Sequence, residues 1–268
     1  MRVVVKVGGS LLKGSPPAAL LEGVARLRRS SEVIVVHGGG DAVTGVATRL
    51  GKEQKFVTSP DGIRSRYTDA ETAELYTMVM SGLVAKRIVL ALASKGVSAV
   101  SVSGLDGGLL AAARKKKLAI VDGRGRKVLI EGGFTGRVES VNAALIEALI
   151  SAGHVPVISP VALGDGPFPL NVDGDRAASA VSKAVSADVA MFATNVEGLM
   201  MDGKLVESLR ASEARALLPK VGPGMQKKVI AAAEAVEGGV YEALIFSGFK
   251  DDPLTKALAH DRCTVVAH

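Results

Sequence analysis

The stretch Val3-Val4-Val5-Lys6-Val7-Gly8-Gly9-Ser10 decides the fold. A β-branched run without polar alternation reads as a strand buried on both faces, as in a parallel sheet. It ends in a glycine turn with a lysine at its lip. A second run, Val33-Ile34-Val35-Val36, ends the same way in His37-Gly38-Gly39-Gly40. Glycines at such turns let backbone N–H groups approach phosphate oxygens closely. Two of them, each leaving a buried strand, predict one polyanion site. Between the runs, Pro17–Arg29 carries Leu20, Leu21, Val24 and Leu27 at helical spacing. Strand, turn, helix and strand make a βαβ unit with a right-handed crossover, and Asp41–Leu50 continues as helix.

Outward from this unit the alternation persists. Lys52–Thr68 is polar, with a turn at Thr58-Ser59-Pro60-Asp61-Gly62. The longest helical pattern follows, Asp69 to Lys95, with Thr68 as its expected cap and Glu71 three residues on. Its apolar stripe is wide for a surface helix, so a homodimer with part of this face at the interface is expected, a purely intramolecular core being the alternative. Val97–Val102 is the next strand, and a hairpin pairs Leu118–Val121 with Lys127–Glu131 across Asp122-Gly123-Arg124-Gly125. Ser140 is expected to open a helix through Ala152, and Val155–Ser159 to form a strand. The loop Gly164-Asp165-Gly166-Pro167 divides a first lobe, 1–166, from a second, 167–268. Beyond it lie helices Asp173–Ser186 and Met225–Glu237 and strands Val189–Thr194, Ala243–Phe246 and Thr264–Ala267. The fold class is α/β, one largely parallel sheet with helices on both faces.

Composition bounds the function. Of the 268 residues, 48% are apolar, enough for a sizeable core, but 3% are aromatic and none is Trp. Stacking-based recognition of nucleic acid is therefore not expected. A formal net charge of +6 points to acidic partners. The single cysteine, Cys263, rules out an internal disulfide and argues against a cysteine zinc site. Lys6 and the glycines interrupt any signal-like N-terminal run. No uninterrupted apolar segment reaches the roughly 20 residues a bilayer requires. A cytoplasmic chain with neither a membrane nor a nucleic acid as partner is expected.

Two nucleotide fingerprints fail. Gly198-x4-Gly203-Lys204 approaches a Walker A loop, but Leu205 stands where the Mg²⁺-binding hydroxyl belongs, so Met201-Asp202-Gly203-Lys204 reads as a turn. Gly38-x-Gly40 is followed by Val43 in place of the third glycine of a dinucleotide fold.

The ordered set Lys6-Val7-Gly8-Gly9-Ser10, His37-Gly38-Gly39-Gly40, Gly62-Ile63-Arg64 and Ser103-Gly104-Leu105-Asp106-Gly107-Gly108 resembles the amino-acid kinase family. So do Leu170-Asn171-Val172-Asp173-Gly174-Asp175, Thr194-Asn195-Val196-Glu197-Gly198 and Gly224-Met225-Gln226-Lys227-Lys228-Val229. The likeness runs nearly end to end and is greatest toward the acetylglutamate kinases. It implies a three-layer αβα sandwich in which the first lobe holds an amino-acid substrate and the second holds ATP. The implied reaction is ATP-dependent phosphorylation of a side-chain carboxylate to an acyl phosphate, with Mg²⁺ held mainly by the ATP phosphates and no dedicated metal cage in the protein. By the same resemblance Lys6 and Lys228 neutralise the transferring phosphoryl group and Asp175 organises the two lysines. Gly8, Gly9, Gly38 and Gly39 donate backbone N–H groups to phosphates and to the attacking carboxylate. Arg64 grips the substrate α-carboxylate and Asn171 positions the substrate. A carboxylate nucleophile is already ionised at neutral pH, so the scarcity of histidines, four in all, is no obstacle.

One departure bears on the substrate. In Gly133-Phe134-Thr135-Gly136-Arg137 a basic residue follows the last glycine, which resembles the branch acting on aminoadipate or glutamate linked to a small acidic amino-group carrier protein, in lysine and arginine biosynthesis. Arg114, Lys115, Lys116, Lys117 and Arg137 are the expected docking rim, complementary in charge to such a carrier. A solvated, aggregation-resistant hairpin edge is the alternative reading of the lysine run. A kinase for free N-acetylglutamate is the alternative activity. A non-catalytic nucleotide-binding storage or sensor protein is a further one, against which Lys6, Asp175 and Lys228 together argue.

Overall fold

The unbroken apolar runs become the centre of an 11-stranded sheet in the computed structural model, which describes residues 1–268 apart from the side chain of Pro223. From one edge the order is Ser208–Arg210, Cys263–Ala267, Glu242–Ser247, Val189–Thr194, Arg2–Val7, Glu32–His37, Val155–Leu163, Leu110–Arg114 and Gly136–Val141. Ala99–Gly104 and Pro169–Asn171 also pair with Val155–Leu163. The central pairs are parallel. Three antiparallel pairs lie toward the margins, among them the closing strand Cys263–Ala267 against Glu242–Ser247.

Side chains alternate across each strand, so every central strand feeds two cores. Val4, Ile34, Val36, Ile158 and Phe192 pack under helices Gly174–Ala184 and Pro223–Glu237. Val3, Val5, Val7, Val33, Val35, Val157 and Met191 pack under Ala18–Leu27 and the long helix of the first half. The result is the expected αβα sandwich. At the base of the first strand, Arg2 binds Glu32 at 2.7 Å, Glu147 at 2.6 Å and the Val185 carbonyl at 2.6 Å, tying both halves together.

Several local expectations shift. The long helix is Ala70–Ala93, interrupted by a π-helical turn over Met78–Val84. Its cap is Asp69, not Thr68: the Asp69 carboxylate accepts from the Thr72 amide at 2.8 Å, while Glu71 pairs with Lys52. At 24 residues it is long and apolar enough to cross a bilayer by length and composition, contrary to the sequence expectation. Its apolar side chains Val79, Met80, Val84, Ile88 and Leu92 are instead used inside this fold, while Met78 and Leu90 remain exposed. Ser140 does not open a helix. It belongs to strand Gly136–Val141, and Asn142 caps Ala143–Ser151 by accepting from Leu145. The Asp202-Gly203 pair turns a two-stranded hairpin with φ of 49° and 75°, the left-handed pair that a tight hairpin needs. The Walker-like spacing is thus a turn. The loop 164–168 is also a hairpin turn, because Pro169–Asn171 folds back antiparallel on Val155–Leu163. The strand after this loop thus stays paired with the strand before it.

Phe192 is fully buried and pairs in register with Lys6. Phe192→Ala should cost about 3–5 kcal/mol of stability, read as a lowered urea midpoint with an unchanged slope.

Candidate active site

The two glycine turns lie against each other at the carboxyl ends of adjacent parallel strands. The Gly8 amide donates to Ala193 at 3.0 Å and the Gly38 amide to Val7 at 2.8 Å. A Cβ on Gly9 would stand 2.9 Å from the Gly39 nitrogen, and one on Gly38 would stand 2.7 Å from the Gly9 nitrogen. Side chains are excluded because backbone packs on backbone. Gly39 has φ of +154°, and a Cβ there would also meet Met80 Sδ at 3.0 Å. Among the described residues the Gly9 and Gly39 amides have no protein acceptor. Two N–H groups from different strands thus stand side by side and free to bind an anion.

Strand alternation puts Lys6 on the same face as Val4, under helix Gly174–Ala184. Asp173 caps that helix, accepting from the Asp175 and Arg176 amides at 3.0 and 3.2 Å. This fixes Asp175 in the first turn, directly over Lys6. The Lys6 ammonium lies 2.5 Å from Asp175 Oδ1, and Lys228, from helix Pro223–Glu237, lies 3.3 Å from Oδ2. One buried carboxylate therefore serves two lysines. Burial pushes the Asp175 pKa up, but the charges of Lys6 and then Lys228 outweigh it and hold the group at about 2. The Lys228 pKa is lowered, chiefly by burial and then by Lys6, with Asp175 opposing. The adjacent lysine does separate work: Lys227 pairs with Asp173 at 3.2 Å.

On the substrate side, two arginines of one hairpin differ in depth. Arg64 is exposed on the 56–66 hairpin, its guanidinium 4.2 Å over the Phe56 ring. Arg66 is the buried one, donating to the Gly40 carbonyl at 2.7 Å and to Thr44 Oγ1 at 2.9 Å. Among the described residues it has no carboxylate partner within ion-pair distance, and burial lowers its pKa. A desolvated guanidinium beside the second glycine turn invites an anion. Arg64 and Arg66 are two apart on one strand and share a face. Depth alone separates them, and depth depends on how the hairpin packs.

Asn171 donates from Nδ2 to Thr68 Oγ1 at 2.9 Å, and its backbone N–H bonds the Phe134 carbonyl at 2.9 Å. The Gly132–Gly136 loop is wedged against Thr68, whose carbonyl would lie 2.3 Å from a Cβ on Gly133. Arg114 props this loop from outside: its Nε donates to the Gly133 carbonyl at 2.6 Å, and its guanidinium lies 4.8 Å over the Phe134 ring. Its side chain touches the loop and is itself exposed. Lys116 and Lys117 are exposed, as is Arg137, which holds Glu139 at 3.4 Å. Lys115 has its pKa lowered by partial desolvation and by the like charge of Arg176, against Asp173, with smaller effects of Lys227 and Arg137. Those charges come from both halves of the molecule, so the base of the hairpin lies near where the two halves meet. No cluster of three or more His, Cys, Asp or Glu able to hold a metal occurs among the described residues.

This arrangement matches a known family. The sequence profile of the amino acid kinase family covers residues 1–247. The chain belongs to the amino acid kinase family. A relative from Saccharolobus solfataricus, named LysW-aminoadipate/LysW-glutamate kinase, is 48% identical over 257 residues, covering 96% of each chain. One from Cenarchaeum symbiosum, given that name provisionally, is 52% identical over 264 residues, covering 98% of each. Among solved structures, an N-acetylglutamate synthase from Neisseria gonorrhoeae superposes with a TM-score of 0.81 at 24% identity. It covers all of this chain, which spans 59% of the synthase. A Giardia lamblia carbamate kinase bound to AMP-PNP superposes with a TM-score of 0.70 at 15% identity, covering 99% of this chain and 98% of its own. At these identities the structures show the amino acid kinase fold alone.

Asp175→Asn should leave two buried ammonium groups without a counter-ion and cost about 3–5 kcal/mol at neutral pH. The folded-state pKa lies below the ordinary 3.8, so the stabilisation is complete above 3.8 and lost as the pH falls through about 2. The stability gap between wild type and variant, followed by urea denaturation, should therefore narrow toward pH 2.

Proposed function

We propose that this chain transfers the γ-phosphoryl group of ATP to the side-chain carboxylate of 2-aminoadipate or glutamate carried by a small acidic protein, giving an acyl phosphate for lysine or arginine biosynthesis. The observation that carries it is the Asp175-centred lysine pair, with Lys6 on the strand that leads into the first of two abutting glycine turns, whose Gly9 and Gly39 amides have no acceptor among the described residues. Phosphoryl transfer demands alignment and charge neutralisation more than covalent help. Lys6 and Lys228 approach from different helices and strands, so their charges can flank one phosphoryl group. Asp175 holds both of them by ion pairs at 2.5 and 3.3 Å, where two bare ammonium groups would repel. The Gly9 and Gly39 amides are fixed before substrate arrives, which spares reorganisation at the moment of reaction.

Bound ATP would supply the phosphoryl group, with Mg²⁺ shielding its phosphates; the residues fit this, since Lys6 and Lys228 offer cations and Gly9 and Gly39 offer backbone donors, whereas the Gly8 and Gly38 amides expected in that role are taken by Ala193 and Val7. The carboxylate between the lysines, Asp175, is already engaged by both. Arg66, rather than Arg64, is assigned the substrate α-carboxylate, because it is buried, close to Gly40 and without an acidic partner. Asn171, braced by Thr68, positions the chain of the amino acid.

Support for a carrier-linked substrate comes from the cleft rim. Lys115 and Arg137 on one half share a field with Arg176 and Lys227 on the other, and the relatives' names attach LysW to both substrates. Arg114, which also braces the Gly132–Gly136 loop, and Lys116 and Lys117 are exposed beside them and complete the proposed docking set.

Lys228→Ala should lower kcat by roughly 10²–10³-fold, the scale of removing one preorganised transition-state charge contact. A hydroxamate assay measures this. Undiminished turnover would reject the lysine-pair mechanism. Offered carrier-bound aminoadipate and free N-acetylglutamate in the same assay, the enzyme should prefer the carrier form. The double change Lys115→Glu with Arg137→Glu should raise KM for the carrier form about tenfold and weaken its dependence on salt. Robust turnover of the free substrate alone would replace the carrier reading with that of a free N-acetylglutamate kinase.

A further inference from the structure

His37 is fully buried beside the second glycine turn, yet the proposed reaction requires no base. Its ring is held at both nitrogens. Nδ1 lies 2.9 Å from the Gly38 carbonyl oxygen, and Nε2 lies 2.9 Å from Ser159 Oγ. Ser159 is itself fully buried and also lies 3.3 Å from the Met80 carbonyl, in the π-helical turn of the long helix.

Proton counting leaves one arrangement. A carbonyl oxygen only accepts, so Nδ1 must carry a proton to bond Gly38. A proton on Nε2 alone would oppose two lone pairs at 2.9 Å. A proton on both nitrogens would bury a cation near Lys6; burial and then Lys6 in fact lower the His37 pKa to about 4. The neutral ring with Nδ1–H remains. Its Nε2 then accepts the single proton of Ser159, which points to the ring at 2.9 Å in preference to Met80 at 3.3 Å.

The consequence lies in the next peptide plane. The Gly38 carbonyl and the Gly39 N–H belong to one trans peptide and point in opposite directions. Glycine on both sides of that plane leaves its rotation sterically cheap. We propose that His37 is a positioning residue: by anchoring the Gly38 carbonyl it stops the 38–39 peptide from flipping and so keeps the Gly39 N–H aimed into the phosphoryl site, with Ser159 selecting the tautomer that does this. The Gly38 amide, bonded to Val7 at 2.8 Å, secures the plane before it. The inference rests on the proposed kinase reading for its catalytic consequence, though not for its chemistry.

Two measurements separate these parts. Long-range ¹H–¹⁵N correlation of the imidazole in the whole protein at neutral pH should show a neutral ring protonated at Nδ1. A ring protonated at Nε2, or a cationic ring, overturns the proposal whether or not the protein turns over ATP. In the hydroxamate assay, His37→Phe should lower kcat by roughly 10- to 100-fold, as loss of an orienting partner commonly does, with a smaller change in KM for ATP. His37→Asn places an amide donor near the position of Nδ1 and should recover most of that loss, which a merely space-filling role would not predict. Ser159→Ala, a minimal change that keeps the assay informative if His37→Phe does not fold, should lower kcat about three- to tenfold. Wild-type kcat in folded His37→Phe or in Ser159→Ala, or His37→Asn no better than His37→Phe, sinks the positioning role. Absence of turnover in the wild type would sink the kinase reading instead and leave the tautomer result standing.

Discussion

One carboxylate shared between two lysines is the constraint on which the site depends. Asp175 reaches Lys6 from the end of a helix and Lys228 across a helix pair, so three elements must meet before the charges balance. In water such contacts are nearly neutral in free energy. In a buried site, removal of one member leaves a charge that nothing screens. The triad is therefore as much a requirement on the packing of the second half against the first strand as it is a reagent. The apolar layer beneath it, including Val4, Val36 and Phe192, sets the distances that the charges exploit.

The glycine turns add a different kind of rigidity. Gly9 and Gly38 approach so closely that backbone meets backbone without side chains between. The two unpaired amides are held by their surroundings on several sides: by strand pairing beneath, by the π-helical turn at Met80 and Val84, and by the ring of His37. Electrostatic preorganisation of this sort depends on what cannot move. The Gly132–Gly136 loop follows the same logic on the substrate side, braced by Thr68, Asn171 and Arg114.

Much of this was legible in the sequence because it is written in local periodicity. The runs Val3–Val7 and Val33–Val36, their glycine turns and the helices between them fix a parallel α/β sandwich, and the ordered motifs bring Lys6, Asp175 and Lys228 to one place. What escaped was depth and partnership. Arg64 and Arg66 share a strand face, so their pattern does not say which lies under the surface. Arg114 looks like one of four consecutive cations until Phe134 and the Gly133 carbonyl claim it. Thr68 and Asp69 are both competent caps, and the choice between them turns on where the chain bends. Ser159 carries no signal at all, because a serine in a buried strand becomes meaningful only once His37 is seen opposite.

Lys6 occupies one face of its strand and His37, paired with Val7 across the neighbouring strand, occupies the other. A slip of one residue in the register of the first strand would reverse every side chain along it. The ammonium would then enter the apolar layer built of Val33, Val35 and Val157. Apolar valines tolerate either face, so the repetitive run Val3-Val4-Val5 is by itself a poor guide to its own alignment. The lysine proposed to meet the phosphate thus also favours one alignment of the strand, because the slipped one would bury its charge among apolar side chains.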